Sequence, residues 1–148
     1  MARFKQKLDH RDKKILIYAI IGVAIFAFVS VSFGYTENRL VMDETYVEIT
    51  GLYGEKVPIT EISSIELTKK RPSLSRRING FSTGNRQKGF FATGKGEKIK
   101  AIINSPSTPW ILITKKSGEK IYYSSNRESN RSIFKRLEKK FPKVAGIE

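Results

Sequence analysis

The feature that most constrains this chain is an uninterrupted apolar segment, ILIYAIIGVAIFAFVSVSF, at residues 15–33. None of its nineteen residues is charged, and its polar side chains are those of Tyr18, Ser30 and Ser32. A helix of this length rises about 28 Å, which is close to the roughly 30 Å of a bilayer's hydrocarbon core. A helix in the core of a soluble protein needs only an apolar stripe. The segment therefore predicts a transmembrane helix, which we assign to residues 15–34.

A cleaved signal peptide is the alternative interpretation of this segment. However, the apolar run is longer than the usual apolar region of a signal peptide. A cleavage site needs two small residues separated by one position. Near the end of the segment, the best matches to this pattern are only Ser30-Val31-Ser32 and Ser32-Phe33-Gly34. An uncleaved anchor is therefore favoured.

The charges on the two sides of the segment predict its orientation. Residues 1–14 form a basic leader with six Lys or Arg residues, whereas acids predominate just after the segment, where Arg39 is the only base. Cytoplasmic flanks of membrane helices carry the excess of bases. We therefore expect a single-pass protein of a bacterial cell membrane, with a cytoplasmic N-terminus and an extracellular domain at residues 35–148.

Composition narrows the chemistry of that domain. The chain has 28 Lys or Arg residues and 14 Asp or Glu residues, a net charge of +14, which favours polyanions or anionic lipid surfaces as partners. It has no cysteine, and its single histidine, His10, lies in the leader. The domain therefore lacks the residues that thiolate chemistry, sulfur metal sites and histidine-dependent catalytic triads need. We expect a non-enzymatic protein without cofactor or metal.

Alternating apolar residues and regularly spaced turn residues predict a mainly β domain. The pattern indicates about seven short strands and favours a sandwich or a small barrel. The predicted strands are residues 46–50, 56–59, 62–67, 87–93, 98–104, 110–115 and 120–124.

A helix is predicted at the end of the chain, at about residues 126–141. The sequence SNRE at residues 125–128 has the S-x-x-E form of a capping box. Apolar residues then recur at helical spacing, and Pro142 ends the run. The apolar face consists of Ile133, Phe134, Leu137 and Phe141.

Seven strands followed by one amphipathic helix is the element order of a pleckstrin-homology domain. Glycine and aromatic motifs add to the likeness: RINGF at 77–81, GN at 84–85, KGFF at 88–91, WILI at 110–113 and IYY at 121–123. Over about residues 40–142 the chain resembles the bacterial pleckstrin-homology-like families found behind membrane anchors. The resemblance implies a seven-stranded β-sandwich or barrel capped by the C-terminal helix. It also implies a membrane-associated binding or assembly module, without catalytic residues or an established lipid specificity.

A glycine-rich basic stretch at residues 69–98 contains five glycines. A phosphate-cradling loop would need a helix after the glycines, whereas strands are predicted there. We therefore expect the glycines to provide turns and close approaches between strands. If the run is extended, Phe90 and Phe91 lie on opposite faces.

Seven bases of this stretch form a candidate binding cluster, which we expect to lie in loops. No acid lies between Glu66 and Glu97 to neutralise them. Bases near a charged surface each contribute about 1 kcal/mol, so anionic lipid headgroups or cell-wall polymers are the expected partners. The predicted residues are Lys69, Lys70, Arg71, Arg76, Arg77, Arg86 and Lys88.

The leading hypothesis is therefore a membrane-anchored module that binds a protein partner or an anionic surface. A bacteriocin self-immunity protein is the alternative, because small, basic, anchored proteins could shield a membrane from a cationic peptide. Nucleic-acid binding fits the bases and the nearby Phe81, Phe90 and Phe91, but the predicted outward topology disfavours it.

Overall fold

The computed structural model describes residues 9–146, which form two compact units that divide between Gly34 and Tyr35. The predicted basic leader, residues 1–14, lies partly outside the described residues. Each unit is described separately below.

The first unit is formed by the apolar helix α1 (His10–Tyr35, 26 residues), whose last residue, Tyr35, belongs to the second unit. Its mean hydropathy is 2.6 over its most apolar window, and its side chains there are exposed. The hydroxyls of Ser30 and Ser32 donate to the carbonyls of Phe26 and Phe28, each at 2.8 Å. The helix thus satisfies these polar groups internally, as a bilayer requires. Among the described residues it is the one helix long and apolar enough to cross a membrane.

The second unit is mainly β and contains two sheets. The first is antiparallel and has three strands: β1 (Leu40–Met42), β2 (Tyr46–Ile49) and β3 (Glu55–Pro58). A single 3-10 turn, Ile59–Glu61, leads to the second sheet.

The second sheet has six strands in the order β4-β8-β9-β7-β6-β5. Neighbouring strands are antiparallel except for the parallel pair β7–β9. The unit ends in helix α2 (Asn130–Lys140). The strands are β4 (Ile62–Thr68), β5 (Leu74–Thr83), β6 (Arg86–Thr93), β7 (Lys98–Ile103), β8 (Trp110–Lys115) and β9 (Lys120–Ser124).

The main core is formed by the two sheets and α2. Ile133, Phe134, Leu137 and Phe141 are all buried in it, as their spacing predicts. A second buried cluster surrounds Trp110. Strand β7 supplies both clusters, because alternate residues of a strand point to opposite faces. Ile102 joins the main core, whereas Ile99, Ala101 and Ile103 join the second.

The predicted mainly β class is confirmed, together with the N-terminal and C-terminal helices. The prediction of about seven strands is too low, because residues 35–146 contain nine. Strand β1 is only three residues long. Strand β5, LSRRINGFST, lies at the sheet edge with most of its residues exposed, so it lacks the apolar alternation that marks a half-buried strand.

The start of the C-terminal helix also differs from the prediction. Helix α2 begins at Asn130, after Ser129. The hydroxyl of Ser125 does accept hydrogen bonds, from the backbone N–H groups of Arg127 (3.1 Å) and Glu128 (3.2 Å). It therefore stabilises a turn that precedes the helix, and the prediction of helix at residues 126–129 is wrong.

Candidate functional site

The glycine-rich stretch folds into the β5–β6 hairpin. Gly80 and Gly89 are register partners on the two strands, and both have positive φ, 152° and 131°. A Cβ atom on Gly80 would lie 2.2 Å from the carbonyl oxygen of Lys88, and one on Gly89 would lie 2.3 Å from that of Asn79. Only glycine allows the two backbones to approach so closely. The prediction of close strand approaches is confirmed at these positions.

Phe90 and Phe91 lie on opposite faces of the hairpin, as predicted. Phe91 is 3% exposed and belongs to the second buried cluster. The ring of Phe90 packs edge-on against Tyr53, with centroids 6.5 Å apart. The ammonium groups of Lys98 and Lys100 lie 4.5 Å and 5.0 Å from the centroid of Phe90, so cation–π attraction holds this outer face together.

The seven predicted bases separate into three groups, and only one group lies in a loop. Lys69, Lys70 and Arg71 follow β4, whereas Arg76 and Arg77 lie on β5 and Arg86 and Lys88 on β6. The expectation that all seven occupy loops is therefore wrong for four of them. Strand β5, which carries Arg76 and Arg77, was not predicted, and Arg86 and Lys88 lie on β6, whose predicted range of residues 87–93 already included Lys88.

Five of these bases are exposed, and Arg71, the fifth, is described separately below. We call the other four the exposed basic surface: Lys69, Lys70, Arg76 and Arg77. No ion pair involves any of the four within residues 9–146. Strand β5 pairs only with β6, so it forms an edge of the sheet. Arg76 and Arg77 thus lie on this edge, whereas Lys69 and Lys70 follow β4, which forms the opposite edge of the sheet.

Arg71 has a structural contact. Its guanidinium lies 5.3 Å from the ring centroid of Trp110 and donates to the carbonyl oxygen of Pro106. The indole is 5% exposed. Arg71 therefore covers the second buried cluster, and we leave it out of the exposed basic surface.

Arg86 and Lys88 bind the chain just after the apolar segment. Arg86 Nη1 donates to the carbonyl oxygen of Tyr35 at 2.5 Å, and its guanidinium lies 5.6 Å from the Tyr35 ring centroid. The Tyr35 ring packs edge-on against Phe81 at 5.4 Å. Lys88 is fully buried and donates to the carbonyl oxygen of Thr36. Burial, with the nearby charge of Arg86, lowers the pKa of Lys88 to about 8.

The next residue, Glu37, is held by the turn before α2. Its Oε1 accepts hydrogen bonds from the Ser125 hydroxyl (3.0 Å) and from the N–H groups of Asn126 (2.8 Å) and Arg127 (3.1 Å). Arg127 Nε lies 2.9 Å from Oε2. Burial opposes ionisation of Glu37, but these donors outweigh it and hold the pKa of the carboxyl below its usual value.

Asn38 is fully buried and completes this attachment. Its side-chain Nδ2 donates to the backbone carbonyl oxygens of Thr50 (2.5 Å) and Leu52 (2.9 Å). The backbone carbonyl oxygen of Asn38 accepts hydrogen bonds from Asn104 Nδ2 and from the Tyr123 hydroxyl, both at 3.1 Å.

Residues 35–38, which we call the junction segment, are thus bound to the β unit at every position. Sequence reasoning missed this feature. Its partners lie dozens of positions away in the chain, and no local pattern indicates such pairings.

A second charged cluster was also missed. Glu55 accepts from the ammonium groups of Lys100 and Lys115, and Lys115 also bonds Glu119 at 2.8 Å. Lys100 is 7% exposed. Burial of Glu55 opposes its ionisation, but the two lysines hold the pKa of its carboxyl below the usual value. The arrangement is a closed set of ion pairs that ties β3 to β7 and β8.

Among residues 9–146, no group of three His, Asp or Glu side chains is arranged to hold a metal ion. No protein-family model, curated protein or solved structure matches the chain. The features that bear on function are therefore the exposed basic surface and the junction segment.

Proposed function

We propose that this chain is a single-pass, membrane-anchored binding module that performs no chemistry. In this proposal the apolar segment lies in the bilayer, and the exposed basic surface binds anionic lipid headgroups or an anionic cell-wall polymer beside it. The distribution of charge around the segment favours the outer face of the membrane.

One observation carries the proposal: Tyr35, which directly follows the apolar segment, is held by Arg86 and Phe81 of the β5–β6 hairpin. If residues 15–33 span a bilayer, Tyr35 lies at its interface, where tyrosine is enriched. We propose that the hairpin, which holds Tyr35, then faces that interface. Arg76 and Arg77 lie on the same hairpin, five and four residues before Phe81, and in this proposal they contact the headgroups.

The lack of ion pairs on the exposed basic surface supports this placement. Lys69, Lys70, Arg76 and Arg77 are exposed and make no ion pair in the described part of the chain. At about 1 kcal/mol for each base near an anionic surface, four bases supply about 4 kcal/mol. That amount corresponds to weak binding from solution, with a Kd of about 1 mM, which sedimentation detects at millimolar lipid. It is adequate once an anchor already holds the module at the membrane.

The proposed family remains the bacterial pleckstrin-homology-like one. Two sheets followed by a C-terminal helix support it. The nine strands and the parallel β7–β9 pair depart from the seven strands that the resemblance implies.

The test uses the unit from Tyr35 onward, after its β-type far-UV circular dichroism spectrum has been verified. We expect it to sediment with vesicles that contain phosphatidylglycerol, and not with vesicles of phosphatidylcholine alone. Binding should weaken as salt is added. A parallel arm with purified wall polymer distinguishes the two anionic partners.

The decisive variant is Arg76→Glu with Arg77→Glu, which should weaken binding by more than about tenfold. Arg86 is left unchanged because it holds Tyr35. The matched control is Arg131→Glu with Lys135→Glu, which makes the same change in net charge at exposed positions of α2. If both double variants lose binding equally, net charge alone explains it and the hairpin has no special role.

A further inference from the structure

A second site lies between α2 and the end of β4, away from the hairpin strands. A cavity of about 340 Å³ opens there. Its apolar lining comes from Leu67, Pro109 and Phe134. Phe134 is otherwise buried in the main core, and Leu67 packs against that core. Leu67 and Pro109 are partly exposed and Phe134 is 2% exposed, so the cavity offers a small apolar surface to an incoming group.

Charged side chains surround this apolar lining. Lys69, Arg131 and Lys135 supply three positive charges, and Glu138 supplies one negative charge. None of these four side chains forms an ion pair within residues 9–146. Arg131, Lys135 and Glu138 are spaced at i, i+4 and i+7 on α2, so they follow one side of that helix. With three bases and one acid, the rim is therefore net positive.

An apolar cavity with a positive rim is complementary to a bulky apolar side chain flanked by carboxylates. Interface anchors of this kind insert into a pocket while charges around them guide association. The volume is at the low end of the roughly 300–1,000 Å³ of ligand sites, which suits one or two side chains better than a complete lipid.

We propose that this cavity, which we call the α2 cavity, is a docking site for an acidic peptide segment of a protein partner. An aromatic or large aliphatic side chain of the partner contacts Leu67 and Phe134, and its flanking carboxylates pair with Arg131 and Lys135. This site is distinct from the proposed membrane contact, with which it shares only Lys69. The module thus holds a protein partner on α2 while its hairpin contacts the anionic surface.

The test uses the full chain in nanodiscs of phosphatidylcholine, which offer no anionic lipid. A displayed library of random peptides is selected on these discs, after binders to empty discs have been removed. We expect the enriched peptides to contain a bulky apolar residue flanked by Asp or Glu. If no peptide is enriched, or if the enriched peptides lack this pattern, the proposal fails.

The enriched peptides are then labelled with fluorescein, and their affinities are measured by anisotropy. Arg131→Glu with Lys135→Glu should weaken binding by about tenfold or more, whereas Arg76→Glu with Arg77→Glu should leave it nearly unchanged. Equal losses in the two double variants would show attraction by net charge alone and would overturn the site. Displacement of the peptide by lysophosphatidylglycerol would identify a lipid as the occupant, which also overturns the proposal.

The same two double variants separate this inference from the proposed function. Failure of the peptide experiment leaves vesicle binding through Arg76 and Arg77 untouched, and the reverse also holds.

Discussion

The buried ammonium group of Lys88 donates a hydrogen bond to the carbonyl oxygen of Thr36. A lysine of the hairpin thereby holds the chain two residues after the apolar helix unit ends. With the contacts of Tyr35, Glu37 and Asn38, this bond leaves no free linker in the junction segment.

Lys88 should give the stability of the protein a distinctive pH dependence. The pKa of Lys88 is about 8 in the folded protein, against an ordinary value of 10.5. Between these values the unfolded chain binds more protons, so stability increases as pH rises above about 8. We expect Lys88 to contribute an increase of about 2 kcal/mol in unfolding free energy between about pH 8 and pH 9.5.

Urea denaturation at a series of pH values measures this increase, and Lys88→Met should lack it. The series stops below about pH 10, because the raised pKa values of Tyr122 and Tyr123 make stability fall above that point. Parallel curves for the two proteins would show that Lys88 is not buried in solution.

Glu37 should contribute stability that is lost in acid. Its pKa is lowered in the folded protein, so its contribution is complete above the ordinary value of 4.5 and disappears as pH falls through the lowered value. Near pH 7, Glu37→Gln should cost about 1–3 kcal/mol, because three donors lose their charged acceptor.

The unfolding free energies of wild type and Glu37→Gln should converge as pH falls through the lowered pKa of Glu37. Glu44→Gln is the control, since the Glu44 side chain is 87% exposed and such pairs contribute about 0–1 kcal/mol. A cost no larger than that of the control would mean that the turn at residues 125–127 does not hold the junction segment.

Gly89→Ala should strongly destabilise the β5–β6 hairpin. The new Cβ would lie 2.3 Å from the carbonyl oxygen of Asn79, in a backbone conformation with φ of 131°. We expect a loss of more than about 2 kcal/mol in thermal or urea unfolding. Gly84→Ala, with φ of 54° and nothing within 4 Å, should cost about 1 kcal/mol. Similar costs at both positions would contradict the close strand approach.

Glu55→Gln should destabilise the protein more than loss of an exposed ion pair does. It leaves the nearly buried Lys100 without its counter-charge, while Lys115 keeps Glu119. We expect a cost of about 2–3 kcal/mol in urea unfolding. Glu97→Gln breaks the longer, exposed pair with Lys120 at 3.6 Å and should cost under about 1 kcal/mol. If the two substitutions cost the same, the Glu55 cluster is not a buried network.

The sequence predicts well those elements in which apolar residues recur at the spacing of the buried positions. The uncharged run at residues 15–33 and the spacing of Ile133, Phe134, Leu137 and Phe141 both depend on local periodicity, and both helices are present. Strand β5 was missed because an edge strand with Arg76 and Arg77 exposed has no apolar alternation to detect.

The candidate site was harder to predict, because burial of a charged side chain depends on distant parts of the chain. Lys88 lies among other bases in the sequence, like a surface residue, yet it is buried and donates a hydrogen bond to the carbonyl oxygen of Thr36, which is remote in the chain. The Glu37 contacts likewise join the junction segment to residues 125–127. Such pairings depend on the tertiary arrangement of the sheets and α2, which no local sequence pattern indicates.

Hydrogen exchange of the full chain in nanodiscs tests the central claim most directly. Discs with and without phosphatidylglycerol are compared, with the backbone amides of β5 as the measured groups. We predict slower exchange around Arg76 and Arg77 in the anionic discs alone, and no such difference in the Arg76→Glu, Arg77→Glu variant. Identical exchange in the two kinds of disc would show that the hairpin does not contact an anionic membrane surface.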